Sequence, residues 1–356
     1  MSFGLALDGG EDDDGGSHLS SFVDWSAWRH DVLYVVAGRE TGGGAGLVPS
    51  DNYNGITVAA SSDLATPFNR FSGIFADNVY NEDAGGELDD RVSVDLLAPG
   101  FGIDVATLGN NLADPAFSGT SAAAPHVTGA VALLQQYAKY QIENAGWLDP
   151  NARRHEVMKA ILLNSADKIN FVHGSNRTIF NLDGQSWENT PAHGSTSMPL
   201  DLNFGAGHLN VGSAVTNYKP GEHDAGLVPR IGWDFSPISE AASDYTFTES
   251  VPDGGWIAVT LAWDRIVTSN ELGDTYNAGT EFFNNPIENE LVNLDLFLLD
   301  DNGNVLHSSE ATADSVEIFF GRCRKVAVAT SRFASLTPVG EMNGPKAMVL
   351  RGGLEK

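Results

Sequence analysis

The stretch FSGTSAAAPHVTGAVALLQQYA, residues 117–138, decides the fold of this chain. It places Ser121 after a Gly-Thr turn and before a long run of small and apolar residues, which predicts a buried helix. Pro125 falls in the first turn of that helix, where a missing N–H costs little. A serine at this point meets free backbone N–H groups and the positive end of the helix dipole, which stabilise an oxyanion. The stretch therefore indicates either a nucleophile or a serine that only caps a core helix.

The whole motif decides between these alternatives. GTSAAAPHVTG, residues 119–129, closely resembles the nucleophile motif of subtilisin-like serine peptidases, G-T-S-x-[AS]-x-P-H-V-[AT]-G. The resemblance implies that Ser121 is the nucleophile and that peptide bonds are hydrolysed through an acyl-enzyme. It also implies protein or peptide substrates, and an α/β fold in which helices flank a mostly parallel sheet. The motif is completed by Gly119, Thr120 and Pro125.

The composition limits the class of partner. The 356 residues carry 20 Lys and Arg against 47 Asp and Glu, a formal net charge of -27. This charge argues against binding to nucleic acid, which depends on neutralising phosphates with basic side chains. No stretch reaches the roughly 18 consecutive apolar residues of a membrane span. A single cysteine, Cys323, excludes an internal disulfide, and the sequence does not predict an oligomeric state.

The first residues resemble a substrate-binding strand of the family. In MSFG, residues 1–4, the resemblance implies that Ser2, Phe3 and Gly4 pair with the backbone of a bound peptide. Because the chain starts inside this strand, we expect it to be the C-terminal two thirds of a catalytic domain. The family resemblance implies an extracellular or cell-surface protein, although residues 1–16 have no signal-peptide pattern.

Arg39 stands where the family has an asparagine that donates to the oxyanion. Val36, Ala37 and Gly38, just before it, are expected to form a small apolar wall of the specificity pocket. Arginine is longer and permanently charged, so it cannot take the geometry of asparagine without displacement. Loss of one oxyanion donor costs about 100- to 1,000-fold in rate, a magnitude that comes from subtilisin itself. Alternatively, Arg39 pairs with an acid such as Glu40 and leaves an oxyanion hole made of backbone groups only.

The sequence lacks the motifs for the two other members of the catalytic triad. A serine needs a histidine as base and an aspartate to orient it. The family carries these in D-[ST]-G and H-G-T-H motifs, and neither occurs in the 356 residues. His126 is expected to point away from Ser121 as a core hydrogen-bonder, and neither His18 nor His30 has the required context.

We therefore expect little or no peptidase activity from this chain alone. Loss of the histidine lowers the turnover of subtilisin, a member of the resembled family, by about a million-fold. Two alternatives stay open: a non-catalytic pseudopeptidase that binds peptides, and a surface or adhesion protein in which only the later strands matter.

The apolar patterns before residue 219 predict helices and strands. Phe22, Trp25 and Trp28 indicate a helix with one apolar face, and residues 32–37 then read as a buried strand. Residues 155–169 predict a second amphipathic helix. No element is predicted for the polar insertion at residues 170–200.

The chain divides into two predicted domains and a tail. Residues 1–218 are a partial subtilisin-like catalytic domain, and Lys219-Pro220-Gly221 marks a boundary. Alternating strands at residues 222–320 predict an all-β sandwich that resembles a jelly-roll domain. The segment 321–356 carries seven Lys and Arg against two acids, which predicts an atypical tail that is either disordered or out of frame with an ancestral gene.

Calcium is the only cofactor that the sequence suggests, and no cofactor is required. The acidic stretch at residues 9–16 could bind calcium, but it has no repeated ligand spacing and favours a solvated loop. Asp300, Asn302 and Asn304 alternate as in a calcium loop. Position six of that loop would be Val305 instead of glycine, so the pattern favours a hairpin turn. We assign no metal ligand.

Overall fold

The structure is a computed structural model, and it describes residues 15–38, 49–61, 91–107, 110–147, 151–167, 191–201, 205–238, 242–249, 256–269, 286–300, 302–322, 330–335 and 345–353. The helices are α1 (His18–His30), α2 (Thr120–Ala145), α3 (His155–Ser165), α4 (Pro191–Gly194) and α5 (Val211–Tyr218), with a 3₁₀ helix at Asn151–Arg153. The strands are β1 (Val35–Ala37), β2 (Ile56–Ser61), β3 (Leu96–Pro99), β4 (Ile103–Thr107), β5 (Asn110–Phe117), β6 (Gly226–Val228), β7 (Ile231–Pro237), β8 (Asp244–Phe247), β9 (Trp256–Trp263), β10 (Ile266–Ser269), β11 (Pro286–Glu290), β12 (Leu294–Leu299), β13 (Val305–Ser309), β14 (Val316–Arg322), β15 (Thr330–Ser335) and β16 (Pro345–Gly353). Within the described ranges, no helix has the length and apolar character needed to cross a membrane.

Strands β1, β2 and β3 form a parallel sheet, in which Val35 lies opposite Ile56. Every residue of β2 is buried, as expected of a parallel strand that is covered on both faces. The prediction of a parallel sheet flanked by helices is confirmed. Strand β1 begins three residues later than predicted. The reason is that Asp31 ends α1 in the left-handed conformation, with φ of 53°, and leaves Val32 42% exposed before the strand starts.

Helix α2 packs on this sheet with one side only. Ala123, Val127 and Leu134 belong to the buried core. On the opposite side, Leu133 is 54% and Tyr140 is 60% exposed. The prediction of a helix buried all round is therefore wrong for the outer side, because the sheet and α5 cover a single face of it within the described residues.

Helix α1 buries a polar side instead of the predicted aromatic one. Phe22, Trp25 and Trp28 all keep part of their surface exposed, whereas Asp24 is fully buried. The Oδ1 atom of Asp24 accepts hydrogen bonds from the backbone N–H groups of residues 53 and 54, at 2.9 and 2.8 Å. The predicted face is wrong because the turn before β2 presents buried N–H groups that need an acceptor.

Helix α3 lies at the centre of the described core. All of its 11 residues are buried, so the prediction of an amphipathic helix is wrong. Strands β9 and β16 pack against it from one side and α5 from another. Its Lys159 donates a hydrogen bond to the carbonyl of Tyr53 at 2.6 Å and lies 3.4 Å from Asp95. These contacts satisfy an ammonium group that would otherwise be costly to bury.

Most strands after residue 225 form two sheets. One has the order β13-β12-β15-β8-β6 and the other the order β14-β9-β16-β7, and strands of both contribute to one apolar cluster. The hairpin turn predicted between β12 and β13 is confirmed. The carboxylate of Asp300 accepts hydrogen bonds from the N–H groups of Asn302 and Asn304, at 2.9 and 2.8 Å, so it serves the turn itself.

Two strands lie in the basic segment at residues 321–356, for which the sequence predicts a disordered tail. Strand β16 runs between β7 and β9, where Met348 pairs with Asp234 on one side and Leu261 on the other. Strand β15 runs between β12 and β8. The structure differs from the prediction because strand pairing uses backbone groups, which every residue except proline carries in full, whatever the charge of its side chain.

The two sides of the predicted domain boundary share one core. A single apolar cluster contains Leu134 from α2 together with Trp233 and Ala262 from the later strands. Polar contacts join the same parts. The side-chain amide of Asn54 donates to the carbonyl of Arg265 at 2.9 Å and accepts from its N–H at 2.8 Å.

Candidate active site

Ser121 is the second residue of α2, and it is exposed. The preceding Gly119 has a φ of 134°, which favours glycine. The first N–H groups of a helix have no partner within it, and no described residue accepts a hydrogen bond from the N–H of Ser121. The serine therefore stands in the positive field of the helix N-terminus.

Three parallel strands end beside the start of α2. The hydroxyl of Thr120 donates to the carbonyl of Gly38, just after β1, at 2.7 Å. The N–H before the helix donates to the carbonyl of Gly100, just after β3, at 2.7 Å, and the N–H of Gly100 donates to Ser61 at the end of β2, at 3.0 Å. Ligands of open α/β sheets bind at the carboxyl ends of the strands. Ser121 therefore occupies the position expected of a binding site.

Gly100 permits this close approach of helix and sheet. A Cβ atom at that position would lie 2.5 Å from the Cβ of Ala60 and 2.7 Å from the carbonyl oxygen of Gly119. Both separations are far inside ordinary van der Waals contact, and neither neighbouring atom belongs to a flexible side chain. The glycine of the Ala-Pro-Gly segment is thus required by packing.

The structure brings some of the predicted site residues together. Val36 and Gly38 are buried and Ala37 is partly buried, and the hydrogen bond from Thr120 ties this segment to the start of α2. Pro125 lies exposed in α2, one turn beyond the serine. The remaining predicted residues lie outside the described residues: Ser2, Phe3, Gly4 and Arg39, together with most of the acidic stretch at residues 9–16, Cys323, and residues 170–190 of the polar insertion.

No described histidine is hydrogen-bonded to Ser121. His126 is exposed, and its Nδ1 atom lies 2.9 Å from the carbonyl oxygen of Ala122 in the same helix. The predicted core role of His126 is therefore wrong, because the side of α2 that carries it faces outward. His18 and His30, the first and last residues of α1, are exposed too.

The sequence did not predict a buried pair of a serine and a histidine, Ser61 and His208. The Oγ atom of Ser61 donates to the carbonyl of Ala98 at 3.1 Å and lies 2.9 Å from Nε2 of His208. Ser61 and His208 are only 2% and 4% exposed, so a substrate does not reach them. This side-chain contact links β2 to the segment before α5. No motif could have revealed it, since 147 positions separate the two residues.

A second group of ionisable side chains lies where α1 ends and α3 begins. The Nδ1 atom of His155 lies 2.8 Å from Asp31, and its Nε2 atom lies 3.0 Å from Asp264. Burial disfavours the imidazolium, but the carboxylates of Asp264 and Glu156 outweigh that effect and raise the pKa of His155 to about 10. Burial also raises the pKa of Glu156. Within the described residues, Asp31, His155 and Glu156 are the group that could hold a metal ion.

Comparison with known families adds to this geometry. The sequence model of the subtilase family matches residues 1–197. An alkaline proteinase from Hapsidospora chrysogena is 33% identical over 126 residues, which cover 34% of this chain and 27% of that protein. The chain thus spans about a quarter of the length of this curated relative.

Solved structures of proteases also resemble the chain. The patellamide maturation protease PatA is 26% identical, and the match covers 62% of this chain and 61% of that one with a TM-score of 0.36. Sphericase is 20% identical, with coverage of 59% and 56% and a TM-score of 0.36.

Proposed function

The chain belongs to the subtilase family, and from that premise we propose that it derives from serine-type peptidases that cleave proteins or peptides, with Ser121 as the nucleophile. The observation that carries this proposal is the position of Ser121, exposed at the N-terminus of α2 and beside the ends of three parallel strands. In the proposed reaction, Oγ attacks the carbonyl carbon of the peptide and forms an acyl-enzyme. The amine leaves, and water then releases the acid. In this proposal the N–H of Ser121 donates a hydrogen bond to the oxyanion.

The proposed reaction requires a base that the sequence does not supply. The family motifs for the histidine and the aspartate are missing from the 356 residues, and no described residue hydrogen-bonds to the hydroxyl of Ser121. Without a base the hydroxyl is a weak nucleophile. We therefore expect the chain alone to hydrolyse peptides very slowly, without need of a cofactor.

Labelling with a fluorophosphonate probe tests the state of the serine. At neutral pH, we expect the probe to leave Ser121 unmodified, and peptide mapping by mass spectrometry checks this. The variant Ser121→Ala defines the background. Stoichiometric labelling of the wild-type chain, absent from the variant, would contradict the proposed inactivity while confirming the nucleophile.

Substitution of Ser121 by cysteine tests whether the helix N-terminus activates a nucleophile at this position, independently of any base. A thiol at a helix N-terminus has a lowered pKa, to about 3.5–7.5. In a Cys323→Ser background, we expect Ser121→Cys to react with iodoacetamide at pH 6 several-fold faster than the control Thr128→Cys, an exposed residue farther along α2. Equal rates would show that the helix N-terminus does not activate this position.

A second candidate function is peptide binding without cleavage. It is favoured by the missing base together with the intact junction between α2 and the ends of the strands. Equilibrium binding of a casein-derived peptide library, followed by mass spectrometry, separates the two candidates. Retention of intact peptides by both the wild type and Ser121→Ala supports binding, whereas cleavage products from the wild type alone support catalysis.

We also propose that the strands after residue 225 form a jelly-roll-like sandwich and that the protein acts outside the cell or at its surface. The shared apolar cluster of the two sheets supports the first point. The acidic net charge of -27 suits a soluble, self-repelling surface and supports the second. Fractionation of cells that produce a tagged chain tests the location.

A further inference from the structure

Three potential metal ligands converge at the junction of α1 and α3. The Nδ1 atom of His155 lies 2.8 Å from Oδ1 of Asp31 and 3.1 Å from Oε2 of Glu156. All three donor atoms lie within 4.8 Å of one another. A tetrahedral zinc ion with ligand bonds of about 2.0–2.1 Å holds its ligand atoms about 3.3 Å apart. The two distances from Nδ1 are close to this value, and the two carboxylate oxygens lie no more than 4.8 Å apart.

Each of these ligands is supported through its other polar atom. Nε2 of His155 lies 3.0 Å from both carboxylate oxygens of Asp264, which fixes the ring and directs Nδ1 toward Asp31 and Glu156. The guanidinium of Arg154 lies 3.4 Å from Oδ2 of Asp31 and 3.5 Å from Oε1 of Glu156, in each case the oxygen that does not face Nδ1. Partners of this kind orient the ligands of metal sites and sustain their affinity.

Glu156 provides an independent indication of a ligand. Glu156 is only 2% exposed. Neither of its carboxylate oxygens has a hydrogen-bond partner within the described part of the chain. A buried carboxylate without hydrogen bonds is costly. Oε2 nevertheless points at His155, which it approaches to 3.1 Å. A cation bound between them would give this oxygen the partner that it lacks.

The charges of the cluster fit a divalent cation. The cluster contains three carboxylates, those of Asp31, Glu156 and Asp264, which all approach His155, and one guanidinium, that of Arg154, which approaches the first two. Binding to Nδ1 requires the cation to displace a proton from His155; the imidazole is then neutral, and one divalent cation cancels the two negative charges that remain. Buried charges require such pairing.

We propose that Asp31, His155 and Glu156 bind a zinc-type divalent cation, with Asp264 and Arg154 as its supporting partners. One imidazole nitrogen and two carboxylate oxygens suit zinc, whereas calcium takes six to eight oxygen ligands. The Asp31 side chain is 29% exposed, which gives the ion a route from solvent and leaves room for a water molecule as the fourth ligand. The ion would tie the end of α1 to the start of α3 and, through Asp264, to the strand β9 region. Its role is structural, because Ser121 is not among the residues of the cluster.

Metal content and thermal stability test the proposal on the full chain. After incubation with Zn²⁺ and dialysis against metal-free buffer, we expect about one equivalent of zinc per chain and a higher melting temperature that EDTA reverses. Ca²⁺ is expected to have no comparable effect. Less than a tenth of an equivalent of zinc, with no change in melting temperature, would overturn the proposal.

The variant Glu156→Gln separates metal binding from folding. It keeps the size of the side chain and removes its charge, so the metal-free variant should still fold cooperatively, and its melting temperature should not rise when zinc is added. Its affinity for zinc should fall by more than about 100-fold, since loss of a supporting partner alone costs about 10- to 100-fold. The matched control is Glu222→Gln, which changes a partly buried glutamate that accepts a hydrogen bond from Asn151, and it should bind zinc as the wild type does.

A second ligand variant, Asp31→Asn, tests the site even if Glu156→Gln does not fold. Asp31→Asn keeps an acceptor oxygen for the N–H of His155 but removes the ligand charge. We expect it to fold and to lose zinc binding as Glu156→Gln does. If both variants bind zinc with wild-type affinity, the ion lies elsewhere and the proposed site is wrong.

Discussion

Asp314 offers a direct measurement of what the buried charges contribute to stability. Its side chain is 5% exposed and lies 3.5 Å from the Nε atom of Arg91. Burial outweighs the attraction of Arg91 and raises the pKa of Asp314 to about 7, and the negative charge of Asp95 adds to the rise. The folded protein therefore holds a proton on Asp314 more tightly than the unfolded chain does.

The sign and size of the effect follow from this difference. The stabilising contribution is fully present below the unfolded pKa of about 4 and is lost as the pH rises through the folded value of about 7. A difference of about three units corresponds to about 4 kcal/mol in all, of which about 2–3 kcal/mol falls between pH 5 and 8. Asparagine mimics the protonated acid at every pH, so Asp314→Asn should be increasingly more stable than the wild type as the pH rises.

Urea unfolding at pH 5, 6.5 and 8, followed by tryptophan fluorescence, measures this difference. The control Asp104→Asn makes the same substitution at an exposed carboxylate and shows how much of any difference comes from the substitution itself. The reasoning would be refuted if Asp314→Asn were less stable than the wild type at pH 8. That result would mean that the ion pair with Arg91 contributes more than burial costs.

Substitutions at three further positions test how the start of α2 and the core beneath it are stabilised. Gly100→Ala should lower the free energy of unfolding by about 1–3 kcal/mol in urea titrations, because the added methyl meets Ala60 at 2.5 Å; unchanged stability would contradict the packing argument. Thr120→Val leaves the buried carbonyl of Gly38 without its donor and should cost about 1–3 kcal/mol by calorimetry, whereas Thr120→Ser should restore most of the loss. Asn54→Ala removes two hydrogen bonds to the backbone before β10 and should accelerate hydrogen exchange there; equal exchange rates in variant and wild type would refute this contact.

The parallel sheet and the start of α2 could be predicted because their signals are local. Strand β2 is a short run of mostly apolar residues, interrupted by Thr57, which suits a strand that is covered on both faces. The motif around Ser121 fixes a turn, a helix start and a proline within a few positions. These features depend only on residues that are close together in the sequence, so the sequence alone is sufficient to predict them.

The polar interior could not be predicted because its partners are far apart in the sequence. Asp24 pairs with Arg265, 241 positions later. In the sequence, such residues resemble the charged surface of an amphipathic helix. The prediction for α3 was wrong for the same reason, because its charged residues Lys159, His155 and Glu156 are buried. A charged side chain is buried only where the fold supplies an oppositely charged or hydrogen-bonding partner, and that partner cannot be identified from the local sequence.

The buried charges also explain why the two predicted domains share one core. The ring of Tyr53 lies between two guanidinium groups, 3.7 Å from that of Arg91 and 4.2 Å from that of Arg265. Arg265 and Asp314 lie next to the later strands, before β10 and β14, whereas their partners Asp24 and Arg91 come from the earlier part of the chain. Separating the two parts would break both contacts and expose the apolar cluster that the two parts share. The junction that positions the candidate nucleophile is therefore coupled to the later sheets, and a change at Asp314 should shift the unfolding of both parts together.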